Sequence, residues 1–286
     1  MKRSSPYPYW FIAPAAVVYT TLFLVPTAAS FWFCFTRWDL VSAQFIGLDN
    51  FRQFFSEPAL TGGLINTLIY AVLTSGLKTV LGLLLAVYLT SNVFSQGLMR
   101  NIMFFPTLVS TIGVGITFSA LMHPTKGMFN VALAGLGIEG PGWLVDQHLA
   151  LYSIAIVDVW KGVGLATLIY IAGLASIGTE YYDAAKVDGA TPWQRFRLIT
   201  LPLVRPATIT VVTLSLIFGL RSFDVIWSMT RGGPGFSSDV LASVIYKQYQ
   251  AGFYGLATAG NVMLFLLIAS IILPLTYLFN RGEVEQ

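Results

Sequence analysis

Long apolar runs separated by short polar stretches organise this chain. Six of them, residues 10–35, 64–90, 102–122, 149–175, 207–227 and 256–279, are long enough to cross a hydrocarbon core, which takes about 20 apolar residues. Each is interrupted by Gly, Pro or polar residues, as in helices that pack against one another rather than in lone anchors. Pro14 and Pro26 bend the first run, which gives way to Arg37, Trp38 and Asp39, residues suited to a membrane interface. Pro106, Ser110, Thr111, Gly113 and Gly115 allow the third to kink. The pattern predicts an all-α membrane protein with six transmembrane helices in a single domain over residues 1–286.

The longest polar insert lies between the fourth and fifth runs, over residues 178–205. Thr179 can cap a short helix whose first turn carries Glu180 and Asp183, at the end where the helix dipole favours acids. Gly189 ends that helix, and Thr191 and Pro192 supply an N-cap and a first-turn proline for a second one through Trp193, Phe196 and Ile199 to Pro202. Tyr181, Tyr182, Ala184, Ala185 and Val187 share the first helix with its charges. Such a mixture suits a knob that presses into a groove on another protein; a loop helix lying against its own bundle is the other reading.

Composition agrees with a membrane location: 56% of residues are hydrophobic, 10% are charged, and mean hydropathy is +0.72, against about 25% charged in an ordinary soluble domain. The basic residues orient the spans. With the N-terminus inside, Lys2, Arg3, Arg100, Lys186, Arg195, Arg197, Arg205 and Arg281 lie on the inner side and Arg37, Arg52, Lys126, Arg231 and Lys247 on the outer. Eight against five favours both termini inside, and the net charge of +3 reflects topology rather than nucleic-acid binding. Lys2 and Arg3 before an apolar run, with Ala13-Pro14-Ala15 beyond, invite comparison with a signal peptide. The run continues to Phe35, past the 7–15 residues of a signal core, so an uncleaved span is expected. Cys34, the single cysteine, forms no disulfide within the chain and reads as a packing residue.

The candidate chemistry is intramembrane charge. Lys78 sits near the middle of the second run, where a charge costs about 2.5–3.5 kcal/mol, so it must face protein or water and find its partner on another helix or another subunit. It belongs to no phosphate loop, because the GxxxxGK[ST] spacing is absent, and the chain is not expected to bind ATP itself. Asp158 and Lys161 in the fourth run, and Arg221 and Asp224 in the fifth, are opposite charges three apart and so on one helix face. At about 1.5 Å rise per residue the two pairs lie at similar depth. They either line a polar chamber or neutralise each other and lock the helices. His123 and His148 have no ligand spacing, and no metal is expected. There is no HExxH and no intramembrane Ser or Cys with an evident base, so no enzyme is expected.

Asp183-Ala184-Ala185, Asp188-Gly189-Ala190, then Phe196, Ile199, Leu201 and Pro202 resemble the EAA loop of permease subunits of binding-protein-dependent ABC importers, with Asp183 where that pattern has Glu. Phe45-Ile46-Gly47-Leu48-Asp49-Asn50-Phe51 resembles the segment common after the first span of sugar-type permeases, and allows an interfacial helix. Residues 223–234, FDVIWSMTRGGP, resemble the signature of carbohydrate permeases of this class, and Arg231 to Gly235 is a turn on composition alone. The resemblance covers about Trp10 to Arg281 and is to the maltose and glycerol-3-phosphate type.

That resemblance implies a type I ABC importer permease fold, multi-pass in a prokaryotic plasma membrane. It implies ATPase coupling through Glu180, Asp183, Ala184, Ala185, Asp188, Gly189, Ala190, Phe196, Leu201 and Pro202. It also implies substrate contact by Ser110, Thr111, Asp158, Lys161, Gly162, Leu165, Arg221, Ser222 and Asp224. The implied partners are a second related permease, two cytoplasmic ATPase subunits that bind ATP and Mg, and an extracytoplasmic solute-binding protein. The implied substrate is a sugar, oligosaccharide or polyol. The alternative from another class is an ion-coupled secondary transporter using Asp158, Lys161, Arg221 and Asp224.

Overall fold

The computed structural model describes residues 9–91 and 95–280; Lys2, Arg3 and Arg281, used above for orientation, lie outside them. Four helices among the described residues are long and apolar enough to cross a membrane: α1 (Trp10–Phe33), α3 (Pro58–Thr90), α7 (Ala150–Ala175) and α13 (Tyr254–Asn280). Two bent pairs bring the number to six if each is counted as one span: α4 (Gln96–Leu108) with α5 (Thr111–Leu121), and α9 (Pro192–Leu203) with α10 (Arg205–Leu220). The chain divides into two compact units, one formed by residues up to Pro58 with Ile245–Leu266, the other by Ala59–Val244 with the residues from Leu267.

The first unit departs from an all-α expectation. After α1 the chain makes an antiparallel hairpin, β1 (Thr36–Trp38) with β2 (Ala43–Phe45), and then the short helix α2 (Asp49–Ser56). Asp39 closes the hairpin turn: its carboxylate accepts from the Val41 and Ser42 amides at 3.0 and 2.5 Å and from the Ser42 hydroxyl at 3.0 Å. These donors hold the Asp39 carboxyl below its ordinary value. Buried Asn50 donates to the Cys34 and Thr36 carbonyls, both at 2.9 Å. Gly47, at φ +61°, turns the chain just ahead of that helix. This gives residues 45–51 a structural role, joining hairpin to helix. Cys34 packs with Ala259, Val262, Phe35 and Phe51.

In the second unit, buried Tyr70, Ile154, Val157, Val225 and Ile226 form one core and Ala86, Ala166, Tyr170, Val204 and Val211 another. Close approaches depend on glycine. A Cβ on Gly82 would lie 2.9 Å from the Ala166 Cβ, and one on Gly164 would run into the Met103 carbonyl.

Both breaks correct the expected spans. The run 102–122 is not one kinked helix, because Val109 and Ser110 are extended (ψ 142° and 129°) and α4 and α5 meet at 96°. Nor is 207–227 one helix. α10 stops at Leu220, the Ser222 amide turns back to the Gly219 carbonyl at 3.2 Å, and α11 (Asp224–Met229) begins afresh with Asp224 in its first turn. An acid there faces the positive end of the new dipole. Arg221 and Asp224 are therefore not on one helix face.

Candidate functional site

A cavity of about 360 Å³ opens within the second unit at these breaks. α7 contributes Asp158, Lys161, Gly162 and Leu165, which recur at i, i+3, i+4 and i+7 and so form one stripe. The chain between α10 and α11 contributes Arg221, Ser222 and Phe223, and α11 begins with Asp224. Thr107 and Thr111 flank the α4–α5 bend and complete the wall with Lys78 of α3. Eight of the nine sequence-derived substrate residues thus line one cavity. Ser110 does not; it stands exposed at the bend, its carbonyl accepting from the Val114 amide at 2.9 Å.

The charges pair differently from their spacing in sequence. Asp158 does not bond Lys161; its Oδ2 accepts from Lys78 Nζ at 2.7 Å, across 80 residues of chain. Both side chains are withdrawn from solvent, Lys78 at 6% and Asp158 at 19% exposure. The partner of Lys78 within this chain is therefore Asp158. Gly162 makes room for the crossing, since a Cβ there would lie 2.7 Å from the Lys78 Cε. Lys161 turns instead to the end of α4, donating from Nζ to the Thr107 carbonyl at 3.4 Å while the Thr107 hydroxyl donates to the Lys161 carbonyl at 2.9 Å. Arg221 and Asp224 form no salt bridge with each other and are both exposed. One neutralised pair is thus built into the wall. Lys161, Arg221 and Asp224 line the cavity outside any salt bridge among the described residues, beside hydroxyls of Thr111 and Ser222.

Sequence reasoning missed Thr107, Ser215, Phe218 and Phe223 as lining residues, whereas Lys78 was expected to face protein or water. Ser215, Phe218 and Ser222 fall at i, i+3 and i+7, a stripe the fifth run displays in its sequence. Thr107 carried no such signal, because only the bend turns it inward.

The polar insert forms its own helix pair. α8 (Thr179–Val187) begins one residue earlier than expected, so that Thr179 is its first residue rather than its cap; the N-cap is Gly178, which the Glu180 carboxylate abuts. Asp183 falls beyond the first turn and pairs with Lys186 at 2.8 Å, both exposed. At the other end the Gly189 amide bonds the Lys186 carbonyl and the Ala190 amide the Ala185 carbonyl, with Gly189 at φ +76°. This is a Schellman closure, and it explains Asp188-Gly189-Ala190, since glycine enters the left-handed region without a Cβ penalty.

Thr191 caps α9 by a capping box. Its hydroxyl accepts from the Gln194 backbone amide at 3.3 Å, and its own amide donates to the Gln194 side-chain Oε1 at 2.7 Å. Pro202 does not stop this helix, which runs on to Leu203. A π turn over Phe196–Thr200, with the Leu201 amide bonded to the Phe196 carbonyl, widens the helix just before the residue that brings a ring and no N–H. The Tyr182 and Thr200 hydroxyls, 3.0 Å apart, tie α8 to α9. Tyr181, Val187 and Trp193 remain exposed, as do Glu180, Ala184 and Asp188; Ala185, Ala190 and Phe196 are half-buried, and Leu201 is exposed.

Such helices, with a charged cavity at their breaks, define a multi-pass membrane protein. Residues 78–281 match the family described as binding-protein-dependent transport system inner membrane component, and the chain belongs to it. It is 32% identical to the trehalose/maltose transport system permease protein MalF of Thermococcus litoralis, over 92% of this chain and 90% of that one. It is 31% identical to the probable starch degradation products transport system permease protein AmyD of Thermoanaerobacterium thermosulfurigenes, over 97% of this chain and 96% of that one. Its fold is similar to a chain of a bacterial ABC transporter involved in the import of the acidic polysaccharide alginate, with a TM-score of 0.86, 23% identity and 96% of both chains covered.

Proposed function

We propose that this chain is the translocation subunit of an ATP-driven ABC importer for a carbohydrate. The observation that carries the reading is the cavity at the α4–α5 and α10–α11 breaks, where paired and unpaired charges meet hydroxyls in an otherwise apolar bundle. Intramembrane charge is costly enough to mark a substrate path, and carboxylate and guanidinium groups bond sugar hydroxyls strongly. The substrates for which MalF and AmyD are named supply the class, a sugar or oligosaccharide. Six spans with both termini inside, each bent pair counting as one, would put α8 in the cytoplasm. There its exposed Tyr181, Val187 and acids would dock on an ATPase subunit as a coupling helix. A second related permease would complete the pore, with two ATPase subunits and an extracytoplasmic binding protein. ATP-driven closure of the ATPases would move α8 and alternate access to the cavity. The ion-coupled alternative has no support: the family is binding-protein-dependent, and Asp158, one of its four coupling groups, is tied to Lys78.

The test is ATPase activity and sugar uptake by the reconstituted complex, comparing the natural chain with Gly189→Asp. Loss of stimulation by loaded binding protein, with assembly intact, is expected. Uptake by the lone chain down an ion gradient, indifferent to the substitution, would overturn the proposal.

A further inference from the structure

A second, smaller cavity of about 240 Å³ adjoins the charged one, and Phe223 and Asp224 line both. Its remaining walls are Trp227, Ser228 and Arg231, with Ile112 and Ile116 of α5 behind them. Phe223 and Trp227 stand one helical turn apart with rings stacked, 5.6 Å between centroids and 17° between planes. The Ser228 hydroxyl is held against α11, donating to the Asp224 carbonyl at 2.6 Å. Small-molecule sites run to about 300–1,000 Å³. The small cavity alone falls short of that range, and it shares Phe223 and Asp224 with a neighbour that meets it. It suits an extension of the first site rather than a site of its own.

We infer that this extension is a second saccharide subsite, holding the next ring of a substrate whose first ring sits among Asp158, Lys161 and Arg221; the inference rests on the importer reading above. The wall chemistry selects the ligand. A pyranose has an apolar C–H face and a rim of hydroxyls; the rings of Phe223 and Trp227 meet the first, and Asp224 and Arg231 meet the second. A lipid chain would leave that carboxylate and guanidinium unsolvated. A cation would be repelled by Arg221 and Arg231, which flank the only carboxylate the two cavities share. Asp224, at the start of α11 and lining both cavities, is placed to bond hydroxyls on either side of a glycosidic link.

The test uses the assembled importer in proteoliposomes with a panel of glucose, mannose, xylose and glucuronate homologues of one to four units, read by uptake and by ATPase stimulation. Trp227→Leu is expected to raise KM more for the longest carried homologue than for the shortest, shifting their ratio at least fivefold. Trp227→Phe should restore most of that ratio. Arg231→Gln, at an exposed residue, provides a second variant and should shift the ratio in the same direction. Equal changes for short and long homologues, or none, would overturn the subsite and leave the importer reading standing. No response of the natural complex to any saccharide on the panel would overturn both.

Discussion

The Lys78–Asp158 pair ties α3 to α7 beside the proposed substrate path, and its contribution can be worked from the geometry. At 2.7 Å and an effective dielectric constant of about 20, two unit charges attract by about 6 kcal/mol. Withdrawal from water costs several kcal/mol per ion, so the intact pair contributes little net. Removing one partner is another matter, because it leaves an uncompensated charge behind, at about 3–5 kcal/mol. Asp158→Asn strands Lys78, the more buried of the two at 6% exposure, and should show the full loss. Lys78→Met strands a carboxylate that is 19% exposed and open to the cavity, and should cost less. The double variant Lys78→Met/Asp158→Asn removes both charges and should lie within about 2 kcal/mol of the natural chain. Unfolding in mixed micelles, followed for all four chains, yields the coupling energy directly. Losses that add to within about 0.5 kcal/mol would mean the two residues act independently, and the account of this wall would be wrong.

Gly164→Ala should weaken the packing of α7 on α4, because the new methyl meets the Met103 carbonyl, a backbone atom that cannot swing aside; a loss of about 1–3 kcal/mol is expected, and unchanged stability in the same micelle assay would refute it. Asp39 makes the hairpin pH-sensitive. Its carboxyl is held below the ordinary value, so its contribution is complete above the unfolded value of about 3.9 and is lost as pH falls through the lower folded value. Protection of the Val41 and Ser42 amides from exchange, taken relative to their intrinsic rates at each pH, should therefore fall on acidification of the natural chain and be low at neutral pH in Asp39→Ala, whereas protection that does not change with pH would count against the turn's dependence on this carboxylate.

Much of this architecture could be read from the chain because it is written in averages and punctuation. Hydropathy summed over twenty residues finds α1, α3, α7 and α13 whatever their neighbours do. Gly189 and Thr191-Pro192 mark the ends of α8 and α9 by local stereochemistry alone. The features that escaped depend on single residues leaving the helical basin, or on contacts distant in sequence. Pro106 announced a kink, but the 96° bend is made by Val109 and Ser110 turning extended, which no periodicity records. The fifth run reads as continuous through Arg221 because the residues on both sides of the break are apolar. Spacing alone matched Asp158 to Lys161, whereas folding matched it to a lysine 80 residues away. The Ala43–Phe45 strand is too short to register as an alternation.

Closed at its C-terminal end and tied to α9, α8 has a further consequence. A nine-residue helix is too short to persist in water by itself. Here the Schellman closure at Gly189 and Ala190, the capping box that follows and the Tyr182–Thr200 contact fix it before anything touches its outer face. Whatever meets Tyr181 and Val187 therefore meets a surface already in shape, and association is spared the entropy of ordering a loop. If α8 docks as proposed, residues that touch no partner govern how tightly a partner is held. Gly189 has nothing within 4 Å of where its side chain would be, yet its backbone angle keeps the proposed docking face assembled, so that its influence on binding would be exercised entirely through the unbound state.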